Sequence, residues 1–288
     1  MRHATPRPTR AALRLLAGVA TLTGAATSAV DAAGAQGAAH VAAHDMTREI
    51  TNDQTLPFAP GERLTFTVRT SRFGGAGKAT MWVEGPTSVR GEEAWPLRFD
   101  FSARVGPVKA SDQTASWFDV RRLASLRFLK HERHPLSKHD DEVELFPETR
   151  RWSAKDGSTG ESPTDAPLDE LSFMYFLRTL PIADEGDWRF ARHYAADRNP
   201  TLVRMLKREE IETGAGRFRT VLLEMRVKNP RIYKGEGVIR INLTDDACRI
   251  PVRIESQMPV IGAAVMLLES HNLQGCGSRE DTSLAAVP

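Results

Sequence analysis

Net charge, cysteine and long apolar runs are all scarce in this chain, and each shortage removes a class of protein. Across 288 residues, Lys and Arg number 39 against 37 for Asp and Glu, a formal net charge of +2. That balance argues against a dedicated nucleic-acid surface. The two cysteines, Cys248 and Cys276, allow a single bridge at most. No stretch reaches the roughly 18 uninterrupted apolar residues of a membrane-spanning helix. Recognisable catalytic motifs are scarce too. There is no Gly-x-Ser-x-Gly nucleophile elbow and no glycine-rich dinucleotide turn ahead of a helix. Phe73-Gly74-Gly75-Ala76-Gly77-Lys78 imitates the end of a phosphate loop, but Arg72 stands where the first glycine belongs. Ala79 follows the lysine, and a strand follows in place of the helix N-terminus that would hold phosphate. A hairpin turn accounts for these glycines.

What is present begins with a leader. Arg2, Arg7, Arg10 and Arg14 form a basic region, Leu15 to Ala26 is apolar and small, and Ala33-Gly34-Ala35 is a small-x-small cleavage pattern. We expect a secretory signal peptide over residues 1–35, a polar lead-in over 36–56, one β-rich domain over 57–277 and a tail over 278–288. The basic region has no Arg-Arg pair and no Cys lies near the cleavage site, so general export without a lipid anchor is expected. An oxidising compartment suits a disulfide. Cys248 precedes one strand and Cys276 follows a later one, so an antiparallel meander would bring both to the same end.

Most of the domain reads as strand. Leu64, Phe66 and Val68 alternate with polar neighbours, and Leu97, Phe99, Phe101, Ala103 and Val105 do so most cleanly. The alternation returns around Val221–Val227, Ile239–Leu243 and Ile250–Ile254. About a dozen short strands result. Lys155–Ala166, rich in Gly, Ser, Pro and Asp, reads as an exposed loop.

One segment differs. Leu168–Leu180, LDELSFMYFLRTL, is apolar around most of a helical circumference, so it should be covered on several sides. Asp165 is expected to cap it, with Pro167 at its first position. Arg178 falls in its last turn and Pro181 stops it. The helix reads either as a plug in a ligand cavity or as core packing. Arg178 either serves the helix C-terminus or meets a carboxylate or headgroup inside the sheet. More than about ten strands tend to curl, so we expect a large curved antiparallel sheet, a half-barrel wrapped around one buried helix.

Three residue sets carry a resemblance. PGERLTFTV with AGKATMWVEG, then DELSFMYFLRTLP, then EEIETGAGRF with LTDDACRIPVRIE resemble the exported bacterial proteins called domain of unknown function 3108, over residues 57–272. A Trp expected near Leu243 is missing. The resemblance implies a periplasmic or outer-envelope location and a half-barrel like that of lipoprotein carriers, which hold acyl chains between sheet and helix.

His131, His134 and His139, with Glu132, Asp140 and Asp141, form the densest ligand cluster, but their spacing is not that of the two-His helical zinc motif. A solvated hairpin accounts for them, and no metal or cofactor is expected. Asp169 with Glu170 and Asp245 with Asp246 read as a helix cap and a turn. The expectation is a non-enzymatic envelope protein holding a lipid or acylated peptide against Phe99, Phe101, Phe173, Met174, Phe176 and Arg178. The alternatives are an adaptor with a solid core that binds envelope proteins through strand edges, and a hydrolase whose site forms only in three dimensions.

Overall fold

A computed structural model describes residues 56–274, apart from 71–75, 106–107, 135–136, 183–185, 231–232, 234 and 259–261. The leader, nearly all of the lead-in, the tail and Cys276 therefore lie outside the described residues, as does the glycine-rich turn at 71–75.

The alternating segments form strands. In the first half they are β1 (Arg63–Thr70), β2 (Ala76–Val83), β3 (Thr87–Val89), β4 (Glu92–Val105), β5 (Val108–Asp119), β6 (Ala124–His134), β7 (Ser137–Phe146), β8 (Arg151–Ala154) and β9 (Thr159–Glu161). A helix, α1 (Glu170–Leu177), follows. The second half holds β10 (Asp187–Phe190), β11 (Thr201–Thr213), β12 (Gly216–Lys228), β13 (Glu236–Thr244), β14 (Pro251–Met258) and β15 (Gly262–Asn272). All pairings are antiparallel, in the order β10-β11-β12-β13-β14-β15-β1-β2-β4-β5-β6-β7-β8-β9, with β3 beside β4. Neighbours along that path are also neighbours in sequence, except β15 with β1 and β2 with β4, between which the short β3 intervenes.

The period of two sorts side chains onto two faces. Leu64, Phe66 and Val68 sit opposite Met81, Ala79 and Gly77. Met81 and Ala79 in turn oppose Phe99 and Phe101. This face also carries Leu268, Ile254, Ile241 and Leu223, and it buries them against α1. It is the concave face. The convex face carries Trp82 and Trp117, over which the guanidinium groups of Arg63, Arg98 and Arg127 stack.

The helix is shorter than its sequence suggests, and Asp165 does not cap it. Asp169 is the N-cap. Its carboxylate accepts from the Leu171 and Ser172 N–H groups, and the Ser172 hydroxyl accepts from the Asp169 N–H. This reciprocal box satisfies the orphan donors one turn later than Asp165 could. Pro167 and Leu168 lie outside the helix because their backbone is used elsewhere. The Pro167 carbonyl accepts from Ser125 N–H at 2.7 Å. Leu168 makes a parallel bridge with His193, donating to the Arg192 carbonyl and accepting from Tyr194 N–H. That segment ties the start of β6 to the chain just past β10, so it links the two halves of the curved sheet. It also ends β10 at Phe190. Two short strands, β3 and β9, were not apparent from periodicity. The second falls inside the expected loop.

Candidate functional site

At one end the concave face is closed by a buried ion pair. Arg178 and Glu62 are 1% exposed. The guanidinium donates to Glu62 Oε1 at 2.6 Å and Oε2 at 2.8 Å, and to the carbonyls of Pro57 at 2.7 Å and Cys248 at 3.0 Å. The rings of Phe58 and Tyr175 lie within 5.3 and 5.5 Å of its centre. The planar fork matches the carboxylate bidentately. One side chain thus fastens the entry to β1, the end of α1 and the β13–β14 turn. That turn is built by Asp246, whose Oδ1 accepts from Thr244 Oγ1 and from the Cys248 and Arg249 N–H groups.

The other end of the helix holds a second buried acid. Asp169 also accepts from Ser116 Oγ at 2.6 Å, and Ser125 Oγ donates to Ser172 Oγ at 2.7 Å. Burial pushes its carboxyl up to about 6, against the pull of these donors. All four groups are shut away from solvent, so they cap and lock the helix onto β5 and β6.

Next to Asp169 the chemistry changes. Register places Asp112, Glu132 and His139 in one cross-strand row of the concave face, and Thr114, Lys130 and Asp141 in the next. Lys130 Nζ contacts Glu132 at 2.7 Å, and His139 contacts Asp141 at 2.9 Å. Glu170, on the first turn of α1, pairs with Arg198. Its side chain is 35% exposed, yet its Oε2 is screened from water and has no hydrogen-bond partner. Burial disfavours the charge on both Lys130 and Glu170. Their attraction, with help from Arg198 and Glu132, overcomes it, so the ammonium is held above its usual range and the carboxylate well below its own. His193 lies in the same place. Burial, with Arg198 alongside, lowers its pKa to about 4, and its Nδ1 accepts from Ala195 N–H, so the ring is neutral. The result is an ionised wall inside an otherwise apolar concavity.

The remaining concave surface is apolar and only half covered. Phe99 and Phe101 of β4, Met174 of α1, Val227 of β12, Ile239 of β13 and Met266 of β15 pack against the core while keeping partial exposure. Tyr233 lies across Gly237 where any Cβ would collide with its ring. The helix end is solid by contrast. Phe173 and Phe176 are buried, 5.7 Å apart, and both meet Phe190 edge-on. A cavity of about 440 Å³ lies elsewhere, among β1, β11, β14 and β15, with none of these aromatic residues in its lining.

A family described as "Protein of unknown function (DUF3108)" matches residues 64–269. The chain belongs to that family. No curated protein matches it. Among solved structures, a β-barrel-like protein of domain of unknown function DUF1849 from Brucella abortus is similar at 14% identity and a TM-score of 0.52. The match covers 74% of this chain and 97% of that one. The likeness shows the fold. Two looser matches carry no argument. One is a candidate lipoprotein from Parabacteroides distasonis (11% identity, TM-score 0.30, 76% and 100% covered). The other is a candidate exported protein with a YmcC-like fold from Bacteroides fragilis (14%, 0.31, 75% and 98%).

Within this DUF3108 chain the sequence-predicted residues separate into three groups. Phe99, Phe101 and Met174 share the half-exposed concave surface. Phe173 and Phe176 are core, and Arg178 is engaged by Glu62. The histidines are divided by strand alternation. His131 pairs with Asp140 on the convex side, while His139 stands on the concave side. The side chain of His134 lies outside the described residues. Sequence reasoning missed Lys130, Arg198, His193 and Glu62. Lys130 alone left a signal, being a charge at an inward position of a strand.

Proposed function

We propose that this DUF3108 chain is an exported, non-enzymatic envelope protein that holds an amphiphilic ligand, a lipid or an acylated peptide, on the open part of its concave face. The carrying observation is the half-exposed apolar set Phe99, Phe101, Met174, Val227, Ile239 and Met266 beside an ionised wall. A concave site with an apolar lining and a few convergent polar groups is what small-molecule sites share. Acyl chains would lie on the apolar part and a headgroup would face Lys130, Glu132, Glu170 and Arg198. The signal peptide over residues 1–35 and a Cys248–Cys276 bridge belong to this reading. The bridge is supported by the antiparallel pairing of β14, which Cys248 precedes, with β15.

The solid packing between α1 and the sheet favours a second reading, an adaptor whose partners are other envelope proteins. Native mass spectrometry of the mature protein after exposure to phosphatidylethanolamine–phosphatidylglycerol vesicles separates the two. An added mass that extracts as lipid, and that Phe101→Asp abolishes, supports the carrier. A bare polypeptide mass under both conditions supports the adaptor.

A further inference from the structure

The end of the sheet opposite the Glu62–Arg178 pair is where β1 passes to β2, β4 to β5 and β6 to β7. Register aligns its outermost convex residues in two cross-strand rows. The outer row runs Arg69, Ala76, Arg104, Lys109. The next runs Thr67, Lys78, Ser102, Ser111, Arg133, Lys138. Together the rows hold six cations and no carboxylate. They share a face with Trp82 and Trp117, because side chains return to one face at every second residue.

All six side chains are exposed. Lys78 pairs with Glu269 at 3.5 Å and Arg133 with Asp140 at 2.7 Å. Arg69 shares a cavity with Glu210 and Glu212. Arg104, Lys109 and Lys138 have no ion pair among the described residues. On these strands the nearest convex carboxylates, Asp100 and Asp140, stand one row further in, while Asp112 and Glu132 lie on the concave face. At the opposite end the cations are matched: Arg122 pairs with Glu148, and Arg208 with Asp245. The concave side of the basic rim is small and apolar. Val68, Gly77, Ala103 and Ala110 form a row there, one step beyond Phe101.

From this juxtaposition we propose that the basic rim docks the protein on an anionic lipid surface, with phosphodiester headgroups against Lys78, Arg104, Lys109, Arg133 and Lys138. Neighbouring strands lie about 4.8 Å apart, so the cations from β1 to β7 follow a line of about 24 Å. A line of that length spans several headgroups and exceeds any single small anion. The small apolar row behind it meets the membrane interface, and the half-exposed surface of Phe99 and Phe101 opens toward the bilayer. Each Lys or Arg near an anionic surface strengthens binding about fivefold at physiological salt. The docking concerns where the protein sits, and it stands whether or not a ligand occupies the concave face.

The test is cosedimentation with vesicles of the mature protein from residue 36 on, so that the basic leader adds nothing. One vesicle set is phosphatidylcholine alone, and the other carries about one-third phosphatidylglycerol. Binding is expected to the anionic set only, and about 0.5 M salt should remove it. Arg104→Gln with Lys109→Gln should weaken it about 25-fold. Both side chains are exposed and without an ion pair among the described residues, so their loss leaves the fold intact. Arg121→Gln with Arg151→Gln removes the same charge at the β5–β6 and β7–β8 turns of the opposite end, and should keep the parent's binding. Equal losses in the two double variants, or equal binding to both vesicle sets, overturns the proposal. So does no binding to the anionic set, which leaves the rim to an acidic protein.

Discussion

Replacing Glu62 with glutamine leaves the Arg178 guanidinium 1% exposed with no negative partner. Breaking a buried pair from one side costs about 3–5 kcal/mol, because the stranded charge keeps its desolvation penalty. Arg178→Met strands the carboxylate instead and has a similar cost at neutral pH. The double variant Glu62→Leu with Arg178→Met strands neither. It loses the hydrogen bonds to the Pro57 and Cys248 carbonyls, at about 1 kcal/mol each, so its loss is about 2 kcal/mol. The double change is therefore milder than either single one, and the coupling between the positions is several kcal/mol. Urea unfolding followed by tryptophan fluorescence reads each value as a shift in midpoint at constant slope. A Glu62→Gln protein within 1 kcal/mol of the parent, or a double variant as damaged as the sum of its singles, refutes the assignment of Arg178 as a structural fastener.

Two further outcomes follow from buried groups. Asp169, raised from its ordinary 3.8 to about 6, contributes up to about 3 kcal/mol that is fully present below pH 4 and lost as pH rises through 6. His193, lowered from 6.5 to about 4, contributes a similar amount that is present above pH 6.5 and lost as pH falls to 4. The slopes oppose each other, so their joint contribution is nearly flat between pH 4 and 6.5. Asp169→Asn should leave stability falling on acidification and His193→Gln should leave it rising, as urea midpoints against pH will show; unchanged profiles in both would contradict it. Reduction of a Cys248–Cys276 bridge, which closes a loop of about 28 residues, should cost about 3 kcal/mol in the chain-entropy picture. Thiol counts with and without reductant check that the bond exists.

The strands were legible because one buried face imposes a period of two, and Phe99 and Phe101 were assigned to the right face by that rule alone. The helix was legible as a type but not in its ends. Asp165 and Asp169 are equally good caps by residue kind. The choice between them came from Leu168, whose backbone is committed to His193 and so cannot be helical. Glu62 and Arg178 lie 116 residues apart, and nothing local in either segment announces the other. β9 was hidden among Gly, Ser and Pro because an edge strand three residues long needs little β propensity. From Lys207 on, β11 reads KREEIET, a solvated run whose single apolar residue, Ile211, gives no period.

The strand order has a kinetic consequence. Each ladder joins strands that follow one another along the chain, with only the short β3 between β2 and β4, apart from the ladder between β1 and β15. From β1 to β9, and from β10 to β15, hairpins can therefore zip up from local turns at small loop-closure cost. The β1–β15 ladder must close a loop spanning nearly the whole domain, as Arg63 opposite Asn272 illustrates. Assembly should wait on that one seam, and until it forms each half exposes a ready strand edge. This is the interval in which the chain is most open to pairing with the wrong partner.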